Sequence, residues 1–147
     1  MKLKIQTKVG ASLSEVESGF TQELFLRLNP PFPTVSLDKF DGCKKGDKVA
    51  LILNFIFFKQ YWESDIIEDA KDDVTWYFID RGVRLPFFLK SWTHKHEITQ
   101  LKNGSLISDD ITYSTGTIVT DFLMFPLLYA QFLYRKPIYK KIFKAKV

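Results

Sequence analysis

The stretch LPFFLKSWTHKHEITQLKNGSLISDDITYS, Leu85 to Ser114, decides the fold. From Phe88 to Ile98 one parity reads Phe88, Lys90, Trp92, His94, His96, Ile98, and the other Leu89, Ser91, Thr93, Lys95, Glu97, Thr99. Successive side chains of a strand point to opposite faces, so each set shares one surface. The returning segment divides the same way, with Ile107, Asp109, Ile111 and Tyr113 on one side and Ser108, Asp110, Thr112 and Ser114 on the other. Large apolar side chains on one face and short polar ones on the other describe half-buried strands. Asn103-Gly104 between them is the strongest short-range signal for a tight hairpin. With these two residues as the turn, Lys102 pairs with Ser105, Ile98 faces Asp109 and His96 faces Ile111. His96 and Asp109 then meet on the inner diagonal.

Working outward, Val74–Asp80 (VTWYFID), Gln60–Asp69 (QYWESDIIED), Lys48–Phe58 (KVALILNFIFF) and Thr34–Phe40 read as further strands joined by short turns, an antiparallel meander. Lys2–Val9 alternates Leu3, Ile5, Thr7 and Val9 against polar residues, giving a half-buried first strand. Ser12 with Glu15 predicts a capping box opening a short helix, and a second short helix ends before Pro30-Pro31. After Thr117 the period changes. Ile118, Phe122, Phe125, Tyr129 and Phe132 step by four and three in helical register, and Leu123, Leu127 and Leu128 make the helix apolar around its girth. Pro126 predicts a bend near Phe122, and Pro137 either interrupts the helix or starts a new turn. These elements bury their apolar surfaces most simply if the sheet curls and the long helix lies across its concave face. The expected class is α+β, with about six to seven strands, two short N-terminal helices and a long C-terminal helix, all in one domain over 1–147.

Composition narrows the function classes. A hydrophobic content of 46% and an aromatic content of 16% exclude a disordered chain. The lone Cys43 excludes an internal disulfide and points to the reducing cytoplasm. The N-terminus lacks the continuous apolar core of a signal peptide, and the stretch Phe122–Tyr134, interrupted by Pro126 and Gln131, is too short to span a bilayer. The net charge of +4 is uneven: residues 116–147 hold six Lys/Arg against one Asp, leaving −1 for the rest. Basic character confined to a tail is a solvated helix end complementing its dipole rather than a nucleic-acid stripe, so no nucleic-acid partner is expected. The same tail, YRKPIYKKIFKAK, would be the point of any peripheral contact with an anionic membrane.

The element order, together with Phe78 and Asp80, Pro86-Phe87, Trp92/His94/His96 and Asp109/Ile111/Tyr113, resembles the START-like or SRPBCC superfamily with its helix-grip fold, and within it bacterial ligand-binding proteins. The residue-level resemblance covers about 78–113. Pro86 and Trp92 stand six residues apart where that pattern has about four, which implies a local bulge or a longer entry loop and leaves the inward placement of Phe88 and Lys90 open. The resemblance implies a cavity between sheet and C-terminal helix that takes a lipid, isoprenoid or polyketide-like molecule, in a carrier or in a cyclase-like enzyme.

Each candidate residue carries two readings. Trp62, Trp76, Phe78, Trp92, Ile111 and Tyr113 either line that cavity or fill a dry core, and Phe122, Phe125 and Tyr129 would form its lid. Asp80 and Glu68 would supply polar contacts at one end. His94 and His96 either act as acid and base with Asp109 orienting a ring, or form an internal polar cluster with Asp109, Tyr113 or Asp80. Two same-face His and an Asp have some logic as a metal site, but without a further ligand cluster no metal is expected, nor a cofactor. Lysines 44, 45 and 48 would depress the Cys43 thiol, yet no His or Asp partner makes it a nucleophile. The expectation is therefore a binding protein first, with an enzyme using His94 or His96, and a protein-partner module acting through the tail, as alternatives.

Overall fold

The computed structural model describes residues 1–146; Val147, the last residue of the expected domain, lies outside the described residues. Strand β1 (Lys2–Val9) alternates buried and exposed residues along its length, as its sequence requires. Helix α1 (Leu13–Gly19) starts at a capping box: the Glu15 N–H donates to Ser12 Oγ, and the Glu15 carboxylate accepts from the Ser12 N–H at 2.8 Å. Helix α2 (Gln22–Leu28) is capped by Thr21 and ends ahead of Pro30-Pro31. Six strands follow: β2 (Thr34–Phe40), β3 (Lys48–Asn54), β4 (Lys59–Lys71), β5 (Thr75–Arg84), β6 (Ser91–Leu101) and β7 (Gly104–Ser114). They form one curled antiparallel sheet in the order β1-β7-β6-β5-β4-β3-β2.

Helix α3 (Ile118–Leu133) is capped by Thr117 and packs on β1 and β7. It stops at Tyr134, and α4 (Arg135–Ile142) carries on to pack against β1. Pro137 lies in the first turn of α4, where its missing N–H cannot bond the Leu133 carbonyl, so it starts the new turn rather than extending α3. The basic tail is not free: Tyr139 and Phe143 are buried, and the Phe143 carbonyl accepts the N–H groups of Gly10 and Ala11.

The β6–β7 hairpin differs from its expected register. Leu101 pairs with Gly104, so His96 faces Asp109, His94 faces Ile111 and Trp92 faces Tyr113. Gly104 alone takes a positive φ, +101°, and Asn103 does not, so Lys102 and Asn103 form the loop and Gly104 opens β7. The slip is even, so every side chain keeps its face. Strand β3 ends at Asn54 instead of Phe58, and Phe55–Phe58 make a turn in which the Phe55 N–H donates to the Phe58 carbonyl. A bulge between Ile66 and Glu68 turns Glu68 outward, where it accepts from the Tyr77 hydroxyl, so it does not serve the interior.

Two apolar clusters fill much of the concave side. One gathers α1, α2 and α4 on Trp76, Phe78, Ile98 and Ile107; the other gathers α3 on Leu3, Ile5, Trp92, Ile111 and Tyr113.

Candidate functional site

Alternation on five neighbouring strands presents Val35, Val49, Leu51, Leu53, Trp62, Ser64, Ile66, Phe78, Asp80, Trp92, His94 and His96 to one hollow. Phe25 of α2 with Asn29 just beyond it, and Leu128, Gln131 and Phe132 of α3 followed by Arg135, close it on the helical side. The hollow has a volume of about 190 Å³. Its walls are mainly apolar, with polar groups gathered toward β5, β6 and the α3–α4 junction.

That polar end is a four-membered cluster with a guanidinium beside it. His94 Nε2 lies 2.9 Å from Asp109 Oδ1, and His96 Nε2 lies 2.9 Å from Asp80 Oδ2. The other ring nitrogens approach the opposite carboxylates at 3.6 and 3.7 Å. The two imidazoles overlap with centroids 3.5 Å apart, and Phe78 stacks on His96 at 4.2 Å. Arg135 Nη1 stands 3.8 Å from Asp109 Oδ1, and its guanidinium covers the Phe132 ring at 4.2 Å. The strands dictate this meeting: Asp80, His94 and His96 share the inner parity of β5 and β6, and Asp109 is the β7 partner of His96.

Burial opposes the charge on both carboxylates, but bonded imidazoles outweigh it. Bonding to His96 and the nearby His94 hold Asp80 below the usual carboxylate range, and His94 with Arg135 does the same for Asp109. Burial first, then the electrostatic influence of the adjacent His94 ring, pushes His96 down to about 4. His96 is therefore neutral at neutral pH, with Nε2–H donating to Asp80 and Nδ1 an acceptor that takes no bond. Two ionised carboxylates face one fixed cation here, so the cluster is rich in acceptors. A ligand group that donates hydrogen bonds suits it.

Asp80, His94 and His96 also offer one ligand atom each within 4.8 Å of one another, the set that could hold a metal ion. The carboxylate of that set is Asp80. Both Nε2 atoms already face carboxylates at 2.9 Å, so the geometry is that of a hydrogen-bonded cluster.

Of the residues expected to line the cavity, Trp62, Phe78, Asp80, Trp92, His94 and His96 do so. Asp109 stands behind His94, fully buried. Trp76 packs edge-on against Phe20 in the dry core, and Ile111 fills the opposite cluster. Tyr113 ties the N-terminus to α3: its hydroxyl donates to the Asp121 carbonyl at 2.7 Å, and the Met1 amine donates to the Tyr113 carbonyl. The expected lid is placed differently. Phe122 is 65% exposed, and Phe125 and Tyr129 stack on each other away from the hollow, while Leu128, Gln131, Phe132 and Arg135 face it. The reason is helical phase: the apolar residues ring the helix and do not set it, and the polar Asp121 and Gln131 of α3, with Arg135 at the start of α4, mark the inward side. Arg135 was legible only as that phase mark, and Leu51 and Leu53 lie in a run too continuously apolar to show parity.

No family model matches the chain, and none of the curated proteins does. Solved structures do. The di-domain aromatase/cyclase StfQ of the steffimycin biosynthetic pathway superposes with a TM-score of 0.69 at 11% identity over 97% of this chain, which spans 50% of that protein. The Zhui aromatase/cyclase of Streptomyces sp. R1128 gives 0.64 at 12% identity, covering 93% of this chain and 89% of its own. The ginseng (Panax ginseng) major latex-like protein 151 gives 0.56 at 18% identity, covering 91% and 95%. The chain therefore has the helix-grip α+β fold that these structures share.

Proposed function

We propose that this chain binds a small hydrophobic molecule, of lipid, isoprenoid or polyketide-like chemistry, in the hollow between β2–β6 and α3, as a carrier or binding protein. The observation that carries it is the hollow itself: about 190 Å³, apolar along its walls and polar at one end. A cavity of about 150 Å³ takes benzene, so this volume suits a body of one to two rings. The apolar body packs against Trp62, Trp92, Phe78 and Leu53, and a hydroxyl or similar donor turns toward Asp80 and the imidazoles. The aromatase/cyclases and the latex-like protein that share the fold support the reading without naming the ligand.

A second reading, a cyclase- or hydratase-type enzyme, is favoured by one contact. His94 borders the hollow while Asp109 holds its Nε2 at 2.9 Å, the arrangement of a carboxylate-oriented base. The tail-mediated partner module has less support, because Tyr139 and Phe143 belong to the core and removing the tail would unfold it.

Native mass spectrometry of the purified protein, followed by denaturing extraction, tests the proposal. A stoichiometric hydrophobic adduct that Trp62→Ala or Leu53→Asp abolishes is expected. A clean apo mass that persists after incubation with a mixed lipid and isoprenoid extract would overturn it. His94→Gln separates the two readings: a carrier keeps its ligand with altered affinity, whereas an enzyme keeps the ligand and loses turnover.

A further inference from the structure

Four connections lie at one end of the antiparallel sheet, residues 29–33, 55–58, 85–90 and 115–117. They bring together an aromatic cluster. Phe55 stacks on Phe58 at 5.0 Å and meets Phe32 and Phe88 edge-on, and Phe87 meets both Phe58 and Phe88. A surface groove lined by Phe88, Thr115, Thr120, Leu123, Met124 and Leu127 joins this cluster to α3. Much of it faces outward: Phe57 is 94% exposed, Phe87 68%, Leu123 69% and Leu127 67%.

Helix α3 is inverted relative to a helix in water. Its one charged residue, Asp121, is buried, where it accepts from the Thr115 N–H, and Gln131 turns to the hollow. Ile118, Val119, Phe122, Leu123 and Leu127 stand outside. A surface helix normally shows the reverse, and contiguous apolar area of this extent marks a binding face. The turn at Phe57 is held at a conformational cost. Ile56 sits at φ +77°, a region β-branched residues rarely adopt, and it too is exposed.

The charges fringing this end name what covers it. Segments 54–60, 85–92 and 114–134 contain Lys59 and Lys90, both exposed, and no acidic residue except the buried Asp121. The acidic side chains of the turns, Asp41, Asp47, Asp69, Asp72 and Asp73, lie at the opposite end of the sheet. Two copies meeting through this face would oppose like charges, whereas an anionic interface complements them. No helix among the described residues is long and apolar enough to cross a membrane, so α3 can lie on a bilayer but not span it.

We propose that this end, with Phe57, Phe87 and the outer face of α3 as anchors and Lys59 and Lys90 as the basic fringe, docks on an anionic lipid bilayer. Pro33, Phe55, Phe88 and Leu128 also line the hollow, so docking sets one end of the hollow against the lipid. Docking does not depend on the identity of the cavity's ligand. An empty hollow would leave it intact, and failure to dock would leave ligand binding untouched.

The test is co-sedimentation of the full chain with phosphatidylcholine vesicles, with and without phosphatidylglycerol, alongside sedimentation velocity in the absence of lipid. Retention on the anionic vesicles is expected, weakened about tenfold by Phe57→Glu and by Leu127→Glu separately, since each removes a full apolar anchor. Lys59→Glu with Lys90→Glu should abolish the preference for phosphatidylglycerol. All four positions are exposed, so folding is retained. A Phe57→Trp variant gives an independent reading, because lipids brominated on their chains should quench the added emission. Absence of binding to either vesicle, binding unchanged by both anchor variants, or no such quenching would overturn the proposal. So would a lipid-free dimer that Leu127→Glu dissociates, which would assign the face to a second copy.

Discussion

Over β1 and β7 the concave face of the sheet is filled; over β3, β4 and β5 the same face is hollow. On the filled side Ile107, Ile111 and Tyr113 have at most 1% of their surface exposed, under α3 and α4. On the hollow side Val49, Leu51 and Trp62 remain half-buried although their strands alternate just as regularly. The difference lies in coverage, since α3 packs on β1 and β7 and leaves the far strands to the short α2 and the loops. A curled sheet with one helix placed off-centre makes a cavity without any special residue at its walls. The charged cluster sits on the seam between the halves, with Asp109 on the filled side and Asp80 on the hollow one.

That seam gives the largest expected effect. Asp109→Ala leaves the Arg135 guanidinium and His94 without their carboxylate in a fully buried place and should cost about 3–5 kcal/mol in urea denaturation. Asp80→Ala should cost clearly less, because Asp80 is only partly buried and borders the hollow, where water can enter. Equal losses would mean that the seam does not divide the halves.

Acid should act through the same cluster. His96 has its folded pKa near 4, below the ordinary 6.5, so the unfolded chain binds the extra proton first. The stability this group contributes is full above about pH 6.5 and is lost as pH falls toward 4. Asp80 and Asp109, also depressed, extend the loss below the usual carboxylate value of 3.8. A stability profile measured by denaturation across this range should fall on acidification, and His96→Gln should flatten its upper part. A flat profile in the parent chain would contradict the buried, neutral state of His96.

A pair of truncations then probes the packing itself. Ile111→Ala empties a site with no exposed surface and should cost about 3 kcal/mol, whereas Leu51→Ala only enlarges an existing hollow and should cost about 1 kcal/mol. The rank should reverse for ligand affinity, which Leu51→Ala alone should change.

How much of this the chain reveals depends on how local the determinant is. Parity along Trp92, His94 and His96 and along Asp109, Ile111 and Tyr113 is a property of each strand, and it put the right side chains inward. Register is not local: the reading of Asn103-Gly104 as the turn misplaced every pair by the same even step, because Gly104 supplies its positive φ as the first residue of β7. The α3 phase was unreadable from its apolar residues, which ring the helix. Its polar residues carry the signal instead: Asp121 is buried and Gln131 faces the hollow. Glu68 was turned outward by a bulge that no alternation announces.

Cys43 shows the same limit at its sharpest, and gives the smallest effect. Lys44, Lys45 and Lys48 surround it in sequence and argue for an activated thiol. In space the thiol is half-buried beneath Phe20, whose carbonyl lies 3.9 Å from Sγ, and the carboxylates of Asp47, Asp80 and Asp69 are the charges that reach it. Burial first, and those carboxylates second, push it up to about 12, so almost no thiolate exists at neutral pH. Reaction with a disulfide reagent should be far slower in the folded protein than in urea, and Cys43→Ala should change stability by less than about 1 kcal/mol. Rapid labelling of the native chain would mean that the lysines next to it in sequence, rather than the acids next to it in space, govern the thiol. The contrast between local pattern and tertiary placement would then fail at the residue where it predicts the opposite chemistry.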